Sequence, residues 1–142
     1  MLKIFIGMKE QLEENGFNYY FSDDKTVFFI IANGEVNYNE CVQMMDTLVN
    51  HRFFSKNTTL IADLRNVDYH PAHNEFMNLV EHMKSLKDDL KDCKMALVCS
   101  PLLFSLGYLV CEIMSMFDYN MKTFLKLESA EEWIDKKLKG AL

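Results

Sequence analysis

Apolar positions along the chain fall into short continuous runs, typical of strands, and longer patterns with helical spacing. Two aromatic and β-branched runs, residues 17–22 and 26–32, are separated by Asp23-Asp24-Lys25, which predicts an antiparallel hairpin. Asn37, with Glu40 three residues on, predicts the capped start of a helix. The apolar side chains that follow share one face of that helix: Cys41, Met44, Met45, Leu48 and Val49.

The next part of the chain repeats this pairing of a strand with a helix. Residues 58–64 predict a strand that ends in Asp63-Leu64, and residues 65–70 predict a loop. Pro71 suits the first position of the following helix, because proline lacks the N–H that would be unpaired there. Before the first hairpin, residues 8–15, closed by Gly16, predict a short extra helix.

Residues 94–117 form the most apolar stretch, and Ser100-Pro101 divides it. We predict a buried strand over 94–99 and a helix over 101–117, with Ser100 as the N-cap and Pro101 as the first helical residue. A helix of 17 residues with Gly107 and Glu112 inside it is too short for a membrane span. Its apolar side chains surround nearly the whole helix, which indicates burial on several sides or an interface.

The chain is predicted to end with a strand over 121–127 and a helix that the capping box Ser129-Ala130-Glu131-Glu132 starts. Lys122 and Lys126 suit a strand at the edge of a sheet. The element order is therefore β-β-α-β-α-β-α-β-α. It predicts one α/β domain over residues 1–142, with a mixed, mostly parallel five-stranded sheet, an antiparallel first hairpin and about four helices. The 94–99 strand is expected inside the sheet.

Composition excludes several classes of function. The chain has 142 residues, is 49% hydrophobic and carries a net charge of −6, with only 15 Lys and Arg residues, which are scattered. Nucleic-acid binding depends on clustered cations, so we predict none. Cys41, Cys93, Cys99 and Cys111 form no CxxC pair, and the apolar run at the N-terminus is too short for a signal peptide. We therefore expect a cytoplasmic protein with reduced thiols.

No catalytic motif is complete. The five glycines lie far apart, so no phosphate-binding loop forms, and no GxSxG turn exists. His70 and His73, flanked by Asp68 and Glu75, would need a third ligand to hold a metal. Cys99, just before a helix N-terminus, is a weak candidate nucleophile beside its simpler role as a buried thiol. We predict no enzymatic activity, no cofactor and no structural metal.

One segment carries a resemblance to a known family. Residues 61–67, Ile-Ala-Asp-Leu-Arg-Asn-Val, form a strand that runs into a loop. With Gly34, the strand and helix at 94–117 and the closing segment 129–134, this order of elements resembles the STAS-like proteins similar to the sporulation anti-sigma-factor antagonist (SpoIIAA-like). Their architecture is shared with lipid-binding SEC14 (CRAL-TRIO) domains. The resemblance covers about residues 17 to 137.

The resemblance implies a non-catalytic regulatory module that binds a protein partner. In regulatory members the loop after the third strand carries Asp-Ser-Ser-Gly, whose second serine is phosphorylated. Here Pro71, Ala72, His73 and Asn74 occupy those positions, so the serine switch is not expected. The candidate partner-binding residues are Arg65, Asn66, Asp68, Tyr69, His70, His73 and Asn74.

The SEC14 likeness implies an alternative, a small binder or carrier of an apolar, lipid-like ligand. The helix at 101–117 would then form part of a pocket; in the module it would form a homodimer interface. Its candidate residues for either role are Phe104, Tyr108, Cys111 and Met114. A deep apolar cavity between this helix and the sheet would favour the ligand, and a filled core would favour the module.

Overall fold

The protein is built around one mixed β-sheet. The structure, a computed structural model, describes residues 9–140 of the chain and the side chains of residues 12–135. Six strands lie side by side in chain order. They are β1 (Lys9–Glu14), β2 (Phe17–Phe21), β3 (Val27–Glu35), β4 (Thr59–Asp68), β5 (Lys94–Cys99) and β6 (Asn120–Phe124). The β1–β2 and β2–β3 pairs are antiparallel, and the other three pairs are parallel.

Helices cover both faces of the sheet. They are α1 (Tyr38–Val49), α2 (His73–Ser85), the single turn α3 (Lys87–Leu90), α4 (Pro101–Ser115) and α5 (Leu127–Gly140). Side chains of α1, α2 and α4 share one core with the sheet, and side chains of α5 pack on β4, β5 and β6 in a second core. Right-handed crossovers between adjacent parallel strands place successive connecting helices on the same face.

The predicted α/β class, the mostly parallel sheet and the antiparallel first hairpin are confirmed, but the numbers of strands and helices were too low. Within residues 9–140 the sheet has six strands rather than five, and α3 adds a fifth helix. Strand β5 is interior, as expected, because it pairs with both β4 and β6. Strand β6 forms an edge, which agrees with the lysine at position 122.

The extra strand lies where a short helix was predicted. Residues 9–14 pair with β2, and the two strands are joined by Asn15 and Gly16, both at positive φ (52° and 81°). Two central residues at positive φ make a type I′ turn, which Asn-Gly favours and whose twist matches that of the strands. Gly16 therefore belongs to a hairpin and does not end a helix.

Strand β4 also extends further than predicted. Residues 65–68 were expected in a loop, yet Asn66–Asp68 pair with Asn33–Glu35 after an irregularity in the ladder. Helix α2 then begins at His73 rather than Pro71. Its N-cap, Ala72, is extended, and the Ala72 N–H donates to Glu75 Oε1 at 3.2 Å. The segment between β4 and α2 is thus only residues 69–72.

Helix starts elsewhere follow local capping, with one exception. Asn37 and Glu40 form the predicted capping box, with distances of 2.8 and 3.0 Å, and Ser100 Oγ accepts from the Leu103 N–H at 3.4 Å. Strand β6 ends at Phe124 instead of 127, and α5 begins at Leu127 rather than at the Ser129 box. Leu127, Ala130 and Ile134 are buried, so packing against the sheet begins this helix earlier.

The apolar helix α4 has 15 residues. Among residues 9–140, no helix combines the length and the apolar character that crossing a bilayer requires.

Candidate functional site

An apolar cavity of about 180 Å³ lies between the sheet and the helices α1, α2 and α4. Strands β3, β4 and β5 form its floor through residues such as Ile30, Ala62 and Leu97. Helices α1, α2 and α4 form its walls, with side chains that include Met44, Met45, Leu79, Met83, Leu106 and Val110. This is the position in which the sequence analysis placed the pocket of the ligand alternative.

Two small residues help to shape the cavity. Alternation along β4 directs Leu60, Ala62 and Leu64 toward it, while Ile61 packs in the α5 core. The methyl group of Ala62 leaves room that a larger side chain would fill. On α4, Gly107 lets the helix approach the sheet: a Cβ atom there would lie 3.0 Å from Cys99 Sγ and 3.3 Å from Thr123 Cγ2.

Few polar groups reach the cavity. Cys41, Cys99 and Tyr69 are among the residues that line it. Burial raises the pKa of the Cys41 and Cys99 thiols to about 11, so both stay protonated at neutral pH. For Cys99, the effect of burial on the pKa outweighs the position just before the N-terminus of α4, which agrees with its simpler role as a buried thiol. A protonated, buried thiol is a poor nucleophile.

The candidate partner-binding residues divide into separate groups. The Arg65 guanidinium forms a bidentate salt bridge with the Asp63 carboxylate, with Nε 2.9 Å from Oδ1 and Nη2 2.8 Å from Oδ2. The hydrogen bonds to Asp63 raise the pKa of Arg65. The positive charge of Arg65 is therefore paired within the protein. His70 Nε2 lies 2.6 Å from Asp68 Oδ1, and both side chains are largely exposed. Asn66, His73 and Asn74 are also exposed.

Tyr69 differs from its neighbours because it turns inward. It is half-buried, packs against the core formed with α1, α2 and α4, and has a buried hydroxyl oxygen. The sequence analysis grouped it with exposed docking residues. Residues 66–68 pair with β3 and so extend β4 to the residue before Tyr69. The sequence did not reveal this pairing, and the inward orientation of Tyr69 was missed with it.

The four candidate dimer or ligand residues on α4 occupy different environments. Met114 is fully buried, and Cys111 Sγ lies 3.1 Å from Thr123 Oγ1 in the interior. Phe104 and Tyr108 lie further out, with stacked rings whose centroids are 6.4 Å apart. None of these four is among the residues that line the cavity. Neighbours on the same helix line it instead: Leu103, Leu106, Gly107 and Val110.

The histidines do not assemble a metal centre. His70 pairs with Asp68, and His82 Nε2 lies 2.8 Å from Asp46 Oδ1, joining α2 to α1. Among the side chains of residues 12–135, no three of His, Cys, Asp or Glu come together as metal ligands would.

Comparisons with known proteins identify the fold. A solved structure that matches is the crystal structure of an uncharacterized DUF3478-family protein from Shewanella loihica PV-4, which has a SpoIIAA-like fold. It shares 18% sequence identity with this chain, at a TM-score of 0.54 over 89% of this chain and 98% of that one. The fold is SpoIIAA-like.

The SpoIIAA-like fold is all that the likeness establishes, since identity this low carries no function. No model of a known protein family matches the chain, and no curated protein matches it. The function must therefore be argued from the cavity and the surface of the SpoIIAA-like fold itself.

Proposed function

We propose that this SpoIIAA-like domain is a non-catalytic binding protein that holds a small apolar molecule in the cavity between the sheet and α1, α2 and α4. The observation that supports the proposal is the cavity of about 180 Å³ with its apolar lining. Apolar cavities stay dry and accept apolar ligands of matching size.

The size of the cavity argues against a simple packing defect. Natural interiors contain few voids larger than one water molecule, whose share of liquid volume is about 30 Å³. A void of this size leaves the apolar side chains around it without contacts on one side. A bound molecule would restore the missing contacts. The volume suits a small molecule rather than a whole phospholipid.

The chemical groups that line the cavity support a role without catalysis. Its thiols are protonated at neutral pH, and its other lining side chains are mainly aliphatic. A general base, a nucleophile and an oxyanion site would have to converge for catalysis. Binding alone needs only a fitting apolar surface.

Filling the cavity tests this proposal. We expect Ala62→Leu to weaken toluene binding at least tenfold and to raise the free energy of unfolding by about 1 kcal/mol, because the added side chain occupies the void. Titration calorimetry with toluene and thermal unfolding measure the two effects. Ala72→Leu, the same substitution at an exposed position, is the control and should bind toluene as the wild type does. Undetectable binding to the wild type near the solubility limit of toluene would contradict the proposal.

A second candidate function, the regulatory protein-interaction module with a homodimer, is favoured by the outer face of α4. Leu102 is 92% exposed and Met116 is 78% exposed, with Tyr108 and Leu109 also on the surface. Apolar side chains clustered on one exposed face are typical of an interface. The exposed residues Asp68, His70, His73 and Asn74 would then add polar contacts with a protein partner.

The dimer predicts a specific effect of charge on this face. Sedimentation velocity should give twice the monomer mass for the wild type and the monomer mass for Leu109→Glu, because a carboxylate buried in an apolar interface is costly. Met77→Glu, at a partly exposed apolar site on α2, should leave the dimer intact. A wild type that stays monomeric at high concentration would exclude the homodimer.

A further inference from the structure

Methionine side chains are concentrated around the cavity. Five of the ten methionines in the chain line it. Helix α1 supplies Met44 and Met45, and α2 supplies Met83. The strands β5 and β6 supply Met95 and Met121. Methionine commonly fills irregular gaps in protein cores, yet these five leave about 180 Å³ unfilled. A molecule in the cavity would therefore lie among thioether side chains from both the sheet and the helices.

The polar groups of the lining need no hydrogen bond from a ligand. The Tyr69 hydroxyl donates to the Cys41 sulfur, and burial keeps the Cys99 thiol protonated by raising its pKa to about 11. Among residues 12–135, the other side chains that line the cavity carry no N–H, O–H or carboxylate group. A polar ligand would lose its hydrogen bonds to water here and gain none. The cavity therefore favours a ligand without hydrogen-bonding groups.

Thioether sulfur distinguishes between apolar molecules of similar size. Sulfur is polarizable and makes favourable contacts with aromatic rings, often at the ring edge, whereas a saturated ring gains only ordinary dispersion contacts. The protein itself offers few rings, since Phe17 and Tyr69 are the aromatic residues among residues 12–135 that line the cavity. An aromatic ligand would therefore supply a partner for several of the five thioethers.

We propose that the cavity selects an aromatic hydrocarbon group of one ring over a saturated ring with the same number of carbon atoms, and that the five lining methionines determine this selectivity. The volume agrees, because a protein cavity of about 150 Å³ binds benzene, and about 180 Å³ has room for one ring with a small alkyl substituent. The inference rests on the proposed function, since it names the class of ligand for the same cavity.

Benzene and cyclohexane test the proposal, with dissociation constants measured by headspace gas chromatography over protein solutions. The double variant Met83→Leu/Met95→Leu removes two sulfur atoms and retains most of the side-chain volume. We expect its preference for benzene over cyclohexane to be about tenfold lower than that of the wild type. The different hydration of the two hydrocarbons cancels when this ratio is compared between proteins. Ala62→Leu, which fills the cavity, measures uptake by other parts of the protein.

Met114→Leu is the matched control, because Met114 is fully buried on α4 but is not among the residues that line the cavity. It should keep the preference of the wild type. Met44→Leu, at a partly exposed lining position, should lower the preference about threefold, and this single variant decides the question if the double variant does not fold.

The outcomes separate this inference from the proposed function. If both hydrocarbons bind and the ratio is the same in the wild type and the lining variants, selection by methionine is overturned and the apolar cavity remains a binding site. An equal fall in Met114→Leu would also overturn the inference, because that side chain does not line the cavity. If neither hydrocarbon binds the wild type, the proposed function fails and the inference fails with it.

Discussion

Replacing Met114 with alanine should lower the free energy of unfolding by about 2–5 kcal/mol. Met114 is fully buried in the core that α4 shares with the sheet, and its backbone carbonyl caps the end of α4 by accepting from the Tyr119 N–H. The substitution removes buried methylene groups and leaves a void, and both effects reduce stability. Urea unfolding followed by circular dichroism, at micromolar concentration, measures the change.

Met116 provides the control for Met114, since it lies two residues further along the chain and is 78% exposed. We expect Met116→Ala to change the free energy of unfolding by less than about 0.5 kcal/mol. Equal effects at the two positions would mean that α4 is rotated about its axis relative to the orientation described above. The two faces of α4 would then have to be reassigned, and with them the surface proposed for the homodimer.

Gly107→Val should lower the free energy of unfolding by about 3 kcal/mol. The glycine Cα faces β5 and β6 so closely that a single added Cβ would already crowd Cys99 Sγ and Thr123 Cγ2. Valine adds two further methyl groups, and interiors packed this tightly do not absorb them without moving the helix. Ser105→Val, on the exposed side of the same helix, should change the free energy of unfolding by less than about 0.5 kcal/mol.

The crowding explanation can be checked by a double-mutant cycle. Cys99→Ala removes the sulfur that lies nearest to the added Cβ, so Gly107→Val should cost less in that background, with a coupling of about 1 kcal/mol or more. Chemical denaturation of the four proteins gives the coupling. Strictly additive effects would show that Gly107 is required for another reason.

The sequence predicted best the features that depend on neighbouring residues. The Asn37 box and the Ser100-Pro101 start of α4 are both local, and the structure confirms them. The Asn15-Gly16 turn was local too, yet its glycine was interpreted as the end of a helix. An Asn-Gly pair followed by a strand is a hairpin signal, so this error was avoidable.

The features that the sequence analysis missed depend on contacts between distant segments. Residues 66–68 become a strand because β3 offers them a partner, and this pairing turns Tyr69 inward. The cavity was anticipated as one of two alternatives, but its existence depends on how α1, α2 and α4 fit over β4. The sequence pattern of one helix or strand does not predict the volume left between several packed elements.

The chain-order arrangement of the six strands bears on how the domain is assembled during synthesis. Every strand after β1 pairs with the strand made just before it, so the sheet can extend at one growing edge as the chain leaves the ribosome. Strand β4 and helices α1 and α2 precede α4, the last wall of the cavity, by at least 15 residues of chain. A nascent chain that ends before Pro101 thus lacks α4, and the apolar side chains of β4, α1 and α2 that line the cavity stay uncovered on that side until α4 is added.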